Sequence, residues 1–448
     1  MGSVKKRNPL ITPAFYAYED NRIDHLWSQP DGADHGGIGP TARRPGYWAG
    51  HHRADRPVLS KYCDETRTVR EPSEGRGYTE DIASICREFA DDRVLIMPGF
   101  EDMETLAEHL SLLPANAVLA APDQNSIEQV TPKHHFAKLV KEHDINAPET
   151  EVFETEDEAQ SGPSMDFPLL MKPSRGAGGR GISKVENREA YEAYLTDHAQ
   201  SYPLLAQSLA EGDDYCVSAL AHDGEVMVMS AYTNLENQPR EAGAGVVRET
   251  VSAKPFEDDI RKIARATGWT GVFETDFMWS GDDADSPAVI EVNARFWAGL
   301  RHSTLSGVDY ARHLAELTLY DELKSTPGTP EIGYRSQVPL AWIPSALDGA
   351  FSESDYARQL SESWEKVKNA KGFSLKNFGK LIASLSDAKA AKEALEDVTH
   401  RVMDRSSLDV DLLAKDDPAA ALGALFIVSH LAKFGELPPE VSFDSVGS

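Results

Sequence analysis

Two stretches of this chain hold side chains whose types and spacing can do chemistry. The first, Phe167 to Ser183, reads FPLLMKPSRGAGGRGIS: a short apolar run ends in Lys172 and opens into a glycine-rich segment, Pro173 to Gly181, that also carries Arg175 and Arg180. A strand that delivers a lysine into such a turn suits a polyphosphate. Glycines let backbone N–H groups approach phosphate oxygens closely, and the lysine and arginines add charge. No Lys-Ser or Lys-Thr follows the glycines, so this is not a Walker A loop. The lysine precedes the turn and a strand-like ISKV follows it, so it is not a dinucleotide fingerprint either. Taken alone, the stretch also fits a glycine-rich surface hairpin.

The second stretch is a pair of alternating runs, GVFETDFMW (271–279) and AVIEVNAR (288–295), separated by the polar loop Ser280 to Pro287. Both alternate as strands do. A hairpin closed symmetrically about the loop sets Asp276 opposite Glu291 and Glu274 opposite Asn293, all on one sheet face. Opposed carboxylates repel, and a cation between them removes the cost. Ligands that offer only oxygen favour magnesium or manganese over zinc. Arg295 continues the same face. Alone, this stretch also fits a solvated polar face.

Other elements must position these groups. From Tyr78 the pattern is regular: Ile82, Ile85, Cys86 and Phe89 at helical spacing, a buried-type strand Arg93 to Pro98, a helix through Met103, Leu106, Leu110 and Leu113, and a strand Ala117 to Ala121. Thr131-Pro132-Lys133 predicts a helix start with Thr131 as N-cap and Pro132 at the first helical position. Phe136, Leu139 and Val140 supply its apolar face. Lys133 then sits in the first turn, where the helix dipole disfavours a cation and a nearby phosphate offsets that cost; a solvated lysine is the alternative. An acidic linker, Glu149 to Ser164, leads to the lysine strand. A helix follows near Arg188 to His198, then two strands flanking the turn Ala210 to Asp214, and a strand over 224–232. The glycine-rich loop Glu241 to Arg248 ends in an arginine that is either a site residue or an ordinary exposed one. Asp258 to Thr267 is an amphipathic helix, and another helix is expected near Tyr310 to Tyr320. Residues 1–58 show neither period, and the segment beyond about Glu331 is charged and mainly helical, with a short apolar helix near Ala419 to Leu431.

Composition bounds the partners. The chain has 448 residues, enough for two or three domains, and a formal net charge of −28 from 73 acidic and 45 basic residues. Nucleic acid and anionic membrane are excluded as expected partners, because binding them needs a basic face. Acid spread along the whole chain is similar to the surface of proteins from a high-salt cytoplasm. Three scattered cysteines, Cys63, Cys86 and Cys216, predict a reducing compartment rather than a disulfide framework. With neither an 18-residue apolar run nor a signal-peptide core, the expected location is cytoplasmic.

The lysine–glycine stretch followed by a hairpin ending in Glu291-Val292-Asn293-Ala294-Arg295 resembles the ATP-grasp enzymes, especially those like carbamoyl-phosphate synthetase and biotin carboxylase. The resemblance covers roughly residues 118–315, and NARFWAGL (293–300) is similar to a subgroup of microbial ligases. It implies an α+β ATP-grasp fold: an irregular segment 1–58, a partial Rossmann-like (pre-ATP-grasp) domain 59–130, an ATP-grasp domain 131–325 and a helical extension 326–448. It implies ATP and Mg²⁺ (or Mn²⁺) as cofactors. Lys133, Lys172 and the lid residues Ser174, Gly176, Gly178, Gly179 and Gly181 would hold phosphates. Gln207 to Leu209 would form the adenine hinge, with glutamine where some relatives have glutamate. Asp214 would bind ribose, Asp276, Glu291 and Asn293 the metal, and Arg295 and Arg248 the reacting groups, while Glu274 shapes a second metal position. The implied reaction joins a small-molecule carboxylate to an amine through an acyl phosphate. A phosphotransferase and a non-catalytic nucleotide binder are the alternatives, and a homodimer is one arrangement that the C-terminal apolar helix allows.

The charge makes a test independent of the site. Self-repulsion destabilises a compact chain of net charge −28 at low ionic strength. The melting temperature is expected to climb between about 50 mM and 2 M potassium chloride, as the Debye length falls from above ~10 Å to a few ångströms. Equal thermal stability at both ends of that range contradicts a high-salt surface.

Overall fold

The computed structural model describes residues 14–18, 46–50, 65–99, 102–176, 181–199, 201–237, 245–282, 285–337 and 408–410. Three sheets organise them. The first has strand order β3-β2-β1-β4-β5, from β1 (Ala14–Tyr18), β2 (Gly46–Gly50), β3 (Glu65–Thr68), β4 (Arg93–Met97) and β5 (Ala117–Leu119). Helix α1 (Arg76–Glu88) buries Tyr78, Ile82, Ile85 and Cys86 in one cluster with Val94 and Ile96 of β4. The sequence predicts no strand before residue 59, yet β1 and β2 lie there. β1 runs antiparallel to both β2 and β4, while β4–β5 and β2–β3 are parallel. The sheet is therefore mixed, where a Rossmann-like half would be parallel. The remainder of segment 1–58 lies outside the described residues.

Helices α2 (Asp102–Glu108), α3 (Gln124–Val130) and α4 (Lys133–Glu142) lead into the second sheet. Asp123 caps α3 by accepting from the N–H groups of Asn125 and Ser126. The predicted cap at Thr131 is corrected here. α3 runs on into Thr131, whose N–H bonds Ile127 O, and Pro132 is the residue that precedes α4. The expected helix start is thus the joint between two abutting helices.

The second sheet, order β6-β9-β7-β8, is built from β6 (Thr150–Phe153), β7 (Leu169–Pro173), β8 (Ser183–Val185) and β9 (Leu204–Ser208). Alternation divides its faces. Leu169, Met171, Leu204 and Ala206 pack with Tyr191, Tyr194 and Leu195 of helix α6 (Arg188–Asp197) and with Ala159 of α5 (Glu156–Ser161). Lys172 and Gln207 belong to the opposite face.

The third sheet, order β14-β13-β10-β11-β12-β15-β16, comprises β10 (Asp213–His222), β11 (Glu225–Asn237), β12 (Gly245–Val251), β13 (Gly271–Trp279), β14 (Ala288–Asn293), β15 (Arg335–Gln337) and β16 (Asp409–Val410). The last two strands come from the stretch that the sequence predicts as helical. Odd-numbered positions of β10 and β13, Val217, Ala219, Phe273 and Phe277 among them, face Ile260 and Ile263 of α7 (Glu257–Thr267) and Phe136 and Leu139 of α4. Even-numbered positions face the other way. There Leu220 and Val272 pack with Tyr310 and Leu314 of α9 (Tyr310–Tyr320), which follows α8 (Leu300–Leu305). The rest of that face is polar, and it is the candidate site. Most of the segment beyond residue 337, including the predicted helix near Ala419 to Leu431, lies outside the described residues.

The odd-numbered face carries the stability of this sheet. Phe277 is fully buried against Phe256 at 4.9 Å between ring centroids. Phe277→Ala is expected to lower unfolding free energy by about 3–5 kcal/mol. Truncation of Leu110, 52% exposed, is expected to change it by under about 0.5 kcal/mol. Denaturant melts of the two variants check this, and similar losses for both would misplace the core.

Candidate nucleotide and metal site

Hairpin β13–β14 has the register the alternation predicts: Asp276 opposite Glu291 and Glu274 opposite Asn293. A bulge follows, after which Phe277 pairs with Val289. It turns Val289 into the apolar core instead of the polar face. The same face continues inward across the sheet. Asp276 stands opposite Cys216, Cys216 opposite Tyr232, and Tyr232 opposite Thr250. A neighbouring row runs from Asn234 to Arg248 to Ser336.

This face is crowded with acid, and its hydrogen bonds respond to that. Tyr232 Oη donates to Glu274 Oε2 at 2.7 Å, Asn234 Nδ2 to Asp214 Oδ2 at 2.7 Å, and Asn293 Nδ2 to Asp276 Oδ2 at 3.3 Å. Burial pushes Glu274 up to about 7, against the pull of the Tyr232 hydrogen bond and of Arg295 and Arg248. Asp276 lies well above the usual carboxylate range through burial and the charges of Glu274, Asp214 and Glu291. Burial also raises Asp214. Arg248 is 2% exposed, which removes the exposed-arginine alternative; its guanidinium lies 5.8 Å from the Tyr232 ring centre. Arg295 Nη2 donates to Asn293 Oδ1 at 3.0 Å, so the amide carbonyl expected to face a metal is turned to the arginine instead.

The second sheet supplies the opposite wall. Lys172, 4% exposed, donates from Nζ to Gln207 Oε1 at 2.5 Å, while Gln207 Nε2 donates to Thr150 Oγ1 at 2.9 Å. The hinge acceptor expected for adenine is therefore engaged by the lysine. Lys133, at the start of α4, bridges the walls: its Nζ donates to Glu291 Oε1 at 3.1 Å and to Gly176 O at 3.0 Å. Gly176 presents its carbonyl there rather than its N–H. Ser174 is buried, with its N–H on Pro203 O, its carbonyl on Lys133 N–H and its Oγ 2.5 Å from His134 Nδ1. Arg175 is tied to Glu104 and Glu128 of α2 and α3. Gly181 accepts from Tyr194 Oη at 2.7 Å. Gly178 and Gly179 lie outside the described residues.

Between the walls lies a cleft of about 480 Å³, whose polar end holds Lys133, Lys172, Gln207 and Glu291 and whose sides include Val140, Leu205, Val289 and Ile290. Leu209 and Asp214 are not among its lining residues. The structure thus brings together Lys133, Lys172, Gln207 and Glu291, and sets Asp276, Asn293 and Arg295 along the face that continues from Glu291. The sequence leaves Cys216 and Tyr232 unmarked as site residues. The signal was the period of two in DYCVSALA, which sets Cys216 on the face of Asp214.

Lys172 gives the site a pH signature. Burial, outweighing Glu291, lowers it to about 8, whereas in an unfolded chain it titrates near 10.5. Below about 8 both states carry the proton. Between about 8 and 10.5 only the unfolded state does, so rising pH adds stability. In Lys172→Met that gain is absent, so the stability difference between parent and variant is expected to move in the parent's favour by about 1–3 kcal/mol from pH 7 to 11. Denaturant melts across that range check it, and a constant difference contradicts a buried, charge-strained lysine.

A family model for the ATP-grasp domain matches residues 130–299. Among relatives, the arginine-specific carbamoyl phosphate synthase large chain of Halalkalibacterium halodurans is 23% identical over 225 residues, which is 48% of this chain and 21% of that one. The carbamoyl-phosphate synthase of Methanobrevibacter smithii is 26% identical over 259 residues, 55% of this chain and 68% of that one. The chain thus spans about a fifth of the first and about two thirds of the second. Among solved structures, the biotin carboxylase domain of the Hydrogenobacter thermophilus 2-oxoglutarate carboxylase, in complex with MgADP, ADP and bicarbonate, superposes with a TM-score of 0.51 at 18% identity over 61% of this chain and 64% of that one. The likeness to that structure is one of fold. Residues 130–299 are thus an ATP-grasp domain.

Proposed function

We propose that the chain is an ATP- and Mg²⁺-dependent ligase that joins a carboxylate to an amine or similar nucleophile through an acyl phosphate. The observation that carries this reading is the convergence of Lys133 from α4 and Lys172 from β7 on the strand of Glu291, itself opposite Asp276. Two cations on one wall and paired carboxylates on the other suit a polyphosphate and the divalent ion that accompanies it. The donor set fits: Asp276, Glu291 and Glu274 offer hard oxygens at one end of the face, and Asn293 adds its carbonyl once its amide turns from Arg295. Bound there, Mg²⁺ would neutralise phosphate charge and fix in-line geometry.

The chain's own residues do the rest. Lys133 exchanges Glu291 and the Gly176 carbonyl for phosphate oxygens, and Lys172 holds a second phosphate from the cleft's floor. The apolar sides of the cleft take the adenine, with Gln207 at its polar end; Asp214 is assigned to ribose. The lid begun by Ser174 and Gly176 and ended by Gly181, with Gly178 and Gly179 between, excludes water that would hydrolyse an acyl phosphate. Arg295 and Arg248 orient the acid and steady the transferring phosphoryl group through charge-assisted hydrogen bonds. No side chain is needed as a covalent nucleophile. Cytoplasmic location and small-molecule acid and amine partners follow as part of the same proposal. Among the described residues no helix is long and apolar enough to cross a membrane.

Two measurements test the reading. Phosphate release with Mg-ATP is expected only when a suitable acid is present, with hydroxylamine trapping the activated acid. ATP turnover that needs no acid contradicts it. Glu291→Gln is expected to leave the fold intact, because it removes a like charge facing Asp276 and weakens only a partly exposed pair with Lys133. Turnover should drop by about a hundredfold or more while metal-free nucleotide binding changes little. Unfolding, or intact turnover, overturns the metal assignment.

A further inference from the structure

The sheet face that carries Asp276 also carries a thiol. Cys216 stands directly opposite Asp276 on one side and Tyr232 on the other. Its Sγ, a Glu274 oxygen and an Asp276 oxygen all lie within 4.8 Å of one another. Tyr232 and Asn293 each hold one oxygen of these carboxylates, which fixes the two groups from one side. Sulfur changes which cation such a set prefers. Thiolates select zinc-class ions, with a sulfur bond near 2.3 Å and carboxylate bonds of about 2.0–2.2 Å, and magnesium avoids them. Ligand atoms around a tetrahedral ion of that size lie about 3.5 Å apart, so these three need to close by little more than 1 Å, within the reach of side-chain rotation.

A second observation points to a ligand at the same place. Ser218 is fully buried, lies directly opposite Glu274 and two residues on from Cys216, and its Oγ has no hydrogen-bond partner. Asn234, whose Nδ2 lies 3.8 Å from Cys216 Sγ, has its buried Oδ1 unpartnered as well. Buried polar atoms without partners are costly, and water on a bound cation would satisfy the Ser218 hydroxyl beside Glu274.

We propose that Cys216, Glu274 and Asp276 form a site for a thiophilic divalent cation of the zinc class. Binding releases to solvent the thiol proton and any proton that Glu274 or Asp276 carries, and forms a metal–thiolate bond, with no change of oxidation state. Asp276 cannot serve two cations at full strength, so occupancy removes a ligand from the Mg²⁺ set and inhibits turnover. That consequence rests on the ligase reading; the binding itself does not.

Co²⁺ titrated into the full chain without nucleotide is expected to give a thiolate-to-cobalt charge-transfer band in the near ultraviolet, which equimolar Zn²⁺ then removes. Cys216→Ser and Cys216→Ala should both lose the band and bind Zn²⁺ at least about tenfold more weakly. Two variants are used so that one folding failure does not decide the matter, and near-ultraviolet circular dichroism checks each. A parent protein without the band overturns the site, whatever the variants do. So does a band that persists in either variant, because the thiolate is then Cys63 or Cys86. A parent that lacks the band but releases phosphate with Mg-ATP and acid overturns this site alone. A band in a protein without acid-dependent turnover overturns the ligase reading alone.

Discussion

Carboxylates gathered on one poorly solvated sheet face are the constraint on which the rest of the structure depends. Glu274, Asp276, Asp214 and Glu291 cannot all ionise there without compensation. The chain answers by raising the proton affinity of Glu274 and Asp276, with neutral donors in Tyr232, Asn234 and Asn293, and with cations brought from other elements. Each answer fixes a piece of architecture. α4 must begin close enough for Lys133 to reach Glu291, and β12 must run beside β11 so that Arg248 lies over Tyr232. The sheet's other face, packed with Phe273, Phe277 and the α7 isoleucines, holds this arrangement against its own repulsion.

The opposite wall shows the same economy with the sign reversed. Burial and, to a lesser degree, Lys133 hold down the charged form of Lys172, and each lysine has found an oxygen: the Gln207 amide for one, Glu291 and Gly176 for the other. A polyphosphate entering the cleft would relieve both walls at once, because it pairs with the lysines and brings a cation for the carboxylates. Arg175 does not take part; its ties to Glu104 and Glu128 fasten the lid's first strand to the helices before it. Closure on a nucleotide would therefore be an exchange of partners more than the creation of new charge contacts.

Much of this was legible in the sequence because a hairpin's geometry follows from few residues. Strict alternation and a symmetric polar loop suffice to put Asp276 opposite Glu291. The bulge beyond it was not legible, since only the core's demand for Val289 requires it. Nor was the Lys133–Glu291 pair, because nothing local links residues that far apart. Thr131 misled for a related reason. A threonine before Pro-Lys reads as a cap, and only the continuation of α3 through it decides otherwise. Strands Ala14–Tyr18 and Gly46–Gly50 mix small and aromatic residues without alternation, so no period marks them. The helical reading beyond Glu331 missed Arg335–Gln337 because a three-residue strand is too short to show a period.

The far end of the polar row shows why packing and chemistry cannot be separated here. His302 is buried, and burial together with Arg248 holds it down to about 3, so it is neutral. Its two ring nitrogens lie 3.0 Å from Thr250 Oγ1 on β12 and 2.7 Å from Ser336 Oγ on β15, which joins those strands beneath the site. Its ring also meets Tyr232 edge-on at 5.4 Å. Gly299, on the turn just before α8, has no room for a side chain, because a Cβ there would come within 2.6 Å of Tyr232 Oη. The segment that follows Arg295 is thus shaped around Tyr232, and Tyr232 in turn orients Glu274. A larger residue at 299 or a charged one at 302 would displace the tyrosine, and the displaced tyrosine would leave Glu274 without its donor. In this face a packing residue two contacts from Glu274 still bears on the donor that holds it.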